Sequence, residues 1–101
     1  MSYYVFAYHG GKILDSPEER AKHMAKFEAW VGGLGDAVVN PGHPLGQSKT
    51  VSSSGVSDDG GSNHLVGFSI VKADSMDAAL DMAKGYPHLE IGTVEVVEMM
   101  A

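Results

Sequence analysis

The segment YYVFAYH, residues 3–9, is aromatic and β-branched and too short for a helix, so it reads as a strand. Alternation sends Tyr4, Phe6 and Tyr8 to one face and Tyr3, Val5, Ala7 and His9 to the other. Both sets are largely apolar. Such a strand belongs in the middle of a sheet that is covered on both sides. A chain of 101 residues must supply both covers or leave one of them to a second molecule.

The next strong signal is SPEE. Ser16 is an N-cap, Pro17 occupies the first helical position where a missing N–H costs nothing, and Glu19 completes a capping box. The spacing predicts a helix to about Leu34, with Gly35 at its left-handed C-terminal position. His23, Phe27, Trp30, Val31 and Leu34 form its inward stripe. Gly32 and Gly33 weaken the last turn or permit close packing against a neighbour. A short strand over about 36–40 leads into a Pro/Gly turn. QSKTVSSS suits a polar edge strand, GVSDDGGSN reads as a flexible turn, and HLVGFSIVKA is an interior strand. A second helix begins at Asp74 or Ser75 and ends at Gly85, with Met76, Ala79, Leu80 and Ala83 as its apolar stripe. TVEVVEMM is the last strand.

The order β-α-β-(β)-β-α-β predicts an α+β, ferredoxin-like β-α-β-β-α-β domain over residues 1–101, with a mainly antiparallel sheet. Right-handed crossovers put both helices on one face. The other sheet face is then left for a second copy of the chain, and two sheets packed face to face form a dimeric α/β barrel.

Composition removes several function classes. The net charge is −6 and the seven basic residues are scattered, which argues against nucleic acid and against an anionic membrane surface. No apolar run approaches a transmembrane span, and the N-terminus lacks the pattern of a signal peptide. The absence of cysteine excludes disulfides, thiolate nucleophiles and Cys-type zinc sites, and fits a cytoplasmic protein.

The predicted topology gathers His9, His23, His43, His64 and His88 at one end of the sheet. His23 stands out because it begins an apolar helical stripe. Imidazole exchanges protons near neutrality, so His23 is a candidate general acid/base or substrate-orienting group. The plain structural alternative is a histidine at the core edge, satisfied by one backbone or tyrosine partner. Tyr8 and Tyr86 have hydroxyls that could face a polar pocket. Histidine spacing gives no support for a metal site, and no cofactor is expected. Surface loops are the simpler reading of His43 and His64.

The helix-1 segment SPEERAKHMAKFEAWVGGLG, the turn NPGHPLG, the opening YYVFAYHG and the stretch LVGFSIVKADSMDAALDMAKGYPHLEIGTVEVVEMM together resemble the YCII-related (DGPF-type) family over nearly the whole chain. The resemblance implies a dimeric α/β barrel in a bacterial, cytoplasmic protein. It carries the family's helix-1 histidine onto His23. In one branch that histidine works with an aspartate just before a proline after the second helix; here that position is Tyr86, before Pro87, so the dyad is broken or rebuilt. The DGPF tetrapeptide of the other branch is absent, and SDDGGSNHLVGF stands in its place. Some relatives are associated with extracytoplasmic-function sigma factors, which implies a regulatory role.

Two functions follow as expectations. One is cofactor-free, His-assisted acid/base chemistry on an unknown small organic molecule, with His23 catalytic and His9, Tyr8, Tyr86 and His88 around the substrate. The other is a non-catalytic small-molecule-binding or regulatory homodimer.

Overall fold

The first strand carries the expected two-faced pattern. In the computed structural model, which describes residues 2–10, 16–46, 48–57, 64–87, 89 and 92–100, β1 spans Ser2–His9 and buries Tyr4, Phe6 and Tyr8. It is central, pairing antiparallel with β5 (Leu65–Ala73) on one side and β6 (Thr93–Glu98) on the other. β2 (Val38–Asn40) adds to the outer edge of β5, which gives the order β2-β5-β1-β6. That order, with two helical crossovers, is the ferredoxin-like α+β arrangement.

Helix α1 (Pro17–Leu34) starts as the capping signal requires: the Glu19 N–H donates to the Ser16 hydroxyl at 3.0 Å. Its half-buried residues beyond the cap are His23, Phe27, Trp30, Val31 and Leu34, the predicted stripe, and none of them is fully buried. Gly35 has φ +59°, a value that favours glycine, and its N–H donates to the Val31 carbonyl. A 3₁₀ turn over Gly35–Ala37 then shortens the expected second strand and takes Asp36 out of it.

Helix α2 (Met76–Ala83) lies with Ala79 and Ala83 in the core and Ala78 and Met82 against it. Met76 and Leu80, expected on that stripe, are each 39% exposed. Two alanines let the helix approach the sheet closely, and the helix is turned so that Ala78 and Met82, in place of Met76 and Leu80, flank them. Trp30 ties the helices together: its indole N–H donates to the Met82 carbonyl at 3.1 Å, and its ring stacks on Phe6 with centroids 6.1 Å apart. Gly85 accommodates that indole, since a Cβ there would sit 3.1 Å from the ring nitrogen.

Two expectations are corrected between β2 and β5. Thr50–Ser52 (β3) does not join the main sheet; it pairs with Gly55–Ser57 (β4) in a separate hairpin. Part of the segment read as a flexible turn is therefore a strand, and the rest of it, 58–63, lies outside the described residues. Val51 and Val56 face each other across the hairpin and are 76% and 64% exposed, so the hairpin adds nothing to the core.

The register puts Val5, Ile70 and Val97 beside one another on the sheet face away from the helices, with Tyr3 opposite Lys72 and Ala7 opposite Glu95 at its ends. On that face Tyr3 and Val97 are exposed.

Gly42 and Gly33 make opposite predictions. Gly42 has φ +79°, and a Cβ there would be driven into the Phe68 carbonyl. Gly42→Ala should lower stability by about 2–3 kcal/mol. Nothing among the described residues comes within 4 Å of a Cβ built on Gly33, so no described neighbour explains it. Gly33→Ala should raise stability by about 0.5–1 kcal/mol. Urea unfolding midpoints check both.

Candidate functional site

A cleft of about 480 Å³ opens at the end of the sheet where β1 stops and α1 begins. One wall is a single row of α1. Arg20, His23, Met24 and Phe27 are spaced i, i+3, i+4 and i+7, so they share one helical face. The opposite wall is the Pro41–Pro44 turn with the first residues of β5. Tyr8 and Tyr86 line the cleft between these walls.

Local chemistry holds the second wall in place. The Asn40 side-chain oxygen accepts from the Gly42 N–H at 2.8 Å, an Asx-type turn. The Leu45 N–H donates to the Val66 carbonyl at 2.9 Å, which ties the end of the turn to β5. A bulge between Tyr8 and His9 leaves Val66 without a partner on β1, so β5 bends as it enters the cleft. Gly67 keeps that passage open: a Cβ there would meet the Tyr8 ring at 3.2 Å.

Tyr8 links core and cleft. Its hydroxyl donates to Ser69 Oγ at 2.7 Å, and Ser69 Oγ donates to the Pro41 carbonyl at 2.8 Å. Ser69 is the one buried polar residue among those described, and this chain satisfies it. The Tyr8 ring stacks on Tyr86, with centroids 4.4 Å apart and planes 4° from parallel, and meets Phe27 edge-on at 6.2 Å. Burial pushes the Tyr8 phenol up to about 12, against a smaller opposing effect of the Ser69 hydrogen bond. Burial also pushes the Tyr86 phenol up, and the neighbouring Tyr8 adds to it. Both phenols therefore stay neutral under ordinary conditions. They can hold a hydrogen bond or a ring, and they are poor proton acceptors.

The predicted site residues separate. Tyr8, His23 and Tyr86 meet in the cleft. His9 does not line it. His9 belongs to the Val5 and Ala7 side of β1, where its Nε2 lies 3.0 Å from Glu95 Oε1. His88 lies outside the described residues. His43 is exposed, as a loop residue should be, yet it lines the cleft mouth and its ring meets Phe68 edge-on at 6.3 Å. His64 is exposed; its carbonyl accepts from the Gly10 N–H.

Arg20 was not singled out from sequence, although it stands one turn before His23 and would extend the stripe. Ser69 was likewise missed, because serine on an interior strand gives no signal until its partners are known. Among the described residues no three His, Asp or Glu side chains gather as a metal site requires. No Asp or Glu is among the described residues lining the cleft. No helix among the described residues is long and apolar enough to cross a membrane.

The phenol network carries two expected outcomes. Tyr8 has an ordinary value of 10.0 and a folded value of about 12, so the folded chain keeps a proton that the unfolded chain releases. Stability therefore falls as pH rises from 10 through about 12, and Tyr8→Phe removes that part of the slope. Tyrosinate absorbance together with denaturation at each pH checks it. Ser69→Ala strands the Tyr8 hydroxyl and the Pro41 carbonyl and should destabilise by about 2 kcal/mol, measured by urea unfolding.

The fold, the helix-1 histidine facing a cleft and the tyrosine before Pro87 can be set against known proteins. Comparison with curated proteins finds no match. The family model described as YCII-related domain matches residues 1–101, the whole length of the chain. The chain belongs to the YCII-related family.

Proposed function

We propose that the cleft binds a small organic molecule and that His23 transfers a proton to or from it. The observation that carries this reading is the placement of His23, half-buried on the α1 wall of a cleft that also holds His43 across its mouth. A half-buried imidazole beside neutral phenols can act as acid or base while the rings orient the substrate. Tyr86 fills the position of the aspartate that the family resemblance pairs with the histidine. In this chain its part is to shape the cleft by stacking on Tyr8.

The close packing of the Tyr8, Tyr86 and Phe27 rings along the cleft favours a second reading, a binding or regulatory protein without turnover. The first step is to identify small molecules that copurify with the native protein. Those molecules and a panel of related compounds are then assayed with wild type and His23→Ala. Proton-transfer catalysis predicts a loss of about 10²–10⁴ in turnover with the fold intact by circular dichroism. Ligand retention without turnover in either protein selects the second reading. No ligand of any kind would overturn both.

The same reading includes a homodimer through the sheet face away from the helices. Its support is the apolar group Val5, Ile70 and Val97, with Lys72 and Glu95 at opposite ends to give a self-complementary pattern of charge. Sedimentation at micromolar concentration should give a dimer. Val97→Lys, at a position already 42% exposed, should give a folded monomer. A monomeric wild type would overturn the dimer.

A further inference from the structure

Two apolar side chains of α1 line the cleft opposite a turn that carries two prolines. Met24 and Phe27 stand one turn apart on the α1 wall, and Pro41 and Pro44 belong to the wall across from them. Met24 is 49% exposed, so this wall presents a large thioether side chain at its surface. The Phe27 ring beside it is half-buried. Bare backbone lies between the walls at Gly67. A Cβ there would stand 3.2 Å from the Tyr8 ring, 3.5 Å from the His43 carbonyl oxygen and 3.9 Å from the Pro44 Cα. Gly67 therefore sits where strand, turn and Tyr8 converge, and it sends no side chain into the cleft that it lines.

We infer that the cleft selects a planar aromatic group of one or two fused rings, which lies over Gly67 with Met24 and Phe27 on one side and Pro41 and Pro44 on the other. A flat ring can rest against bare backbone, whereas a puckered saturated ring is thicker and touches it through fewer atoms. A thioether and a phenyl ring each gain more from an aromatic partner than simple burial supplies. The unbranched methionine chain also adapts to rings of different outline. A cleft of about 480 Å³ has room for such a group and its substituents. This inference rests on the cleft being a small-molecule site and specifies the apolar part of what it takes.

The test uses two neutral alcohols on the same carbon skeleton, 2-naphthol and trans-2-decalol. The saturated alcohol has the larger apolar surface, so burial alone favours it. The purified protein is titrated with each by calorimetry, and again by NMR with its six methionine methyls labelled with carbon-13. The Met24 signal is the one lost in Met24→Ala, a change at an exposed position. 2-Naphthol should bind about tenfold more tightly than trans-2-decalol. It should also move the Met24 methyl upfield, through the ring current of an aromatic face. Met24→Ala should weaken 2-naphthol about three- to tenfold. Equal binding, preference for the saturated alcohol, binding of neither, or a bound 2-naphthol that leaves the Met24 methyl unmoved would each overturn the inference. A copurifying ligand without an aromatic ring would overturn it as well and leave the small-molecule reading standing.

Discussion

The hydrogen-bond chain from Tyr8 through Ser69 to the Pro41 carbonyl is what the cleft depends on. It begins on the central strand, passes through a buried hydroxyl on the neighbouring strand and ends on the turn that forms the far wall. Each step satisfies a polar group that would otherwise be stranded. The same phenol ring stacks on Tyr86, so the segment after α2 is seated by the residue that fixes the turn after β2. One tyrosine thus sets the distance between the pieces of chain that enclose the cleft.

The remaining aromatic contacts extend from that point. Phe27 and Trp30 stand one turn apart on α1, and Trp30 reaches Phe6, Tyr86 and the Met82 carbonyl of α2. Core and candidate site are therefore continuous. α1 buries none of its residues completely, and its half-buried row runs from Leu34, against the end of the fold, to His23 in the cleft. His23 follows the helical period of the core and is polar because the core gives way to the cleft there. That is the physical account of a histidine on an apolar stripe.

The histidines separate two kinds of positional information. Strand direction decides which end of the sheet a residue occupies, and the alternation of the pleat decides which face. Topology sends His9 to the same end as His23, but His9 shares the parity of Val5 and Ala7 and ends on the opposite face, beside Glu95. Its parity was legible in YYVFAYH. His43 shows the reverse: a loop has no period to read, and its place at the cleft mouth comes from the Asn40–Gly42 turn and the tie from Leu45 to Val66. The second hairpin strand, and the pairing of the first outside the main sheet, were obscured for a similar reason. Thr50–Ser52 and Gly55–Ser57 are short, polar and exposed, so neither carries a buried face to mark it.

By itself the sequence determined the central strand, the capped first helix with its His23 stripe, the order of elements and hence the ferredoxin-like sheet. Those features rest on short-range periodicity and capping chemistry, which are local. Only the tertiary structure decided that α2 approaches through its alanines, that Ser69 joins Tyr8 to Pro41, and that Arg20 and His43 stand on opposite walls of one cleft. These are contacts between segments far apart in the chain, set by side-chain volume and by the need to satisfy buried polar groups, and no local pattern records them.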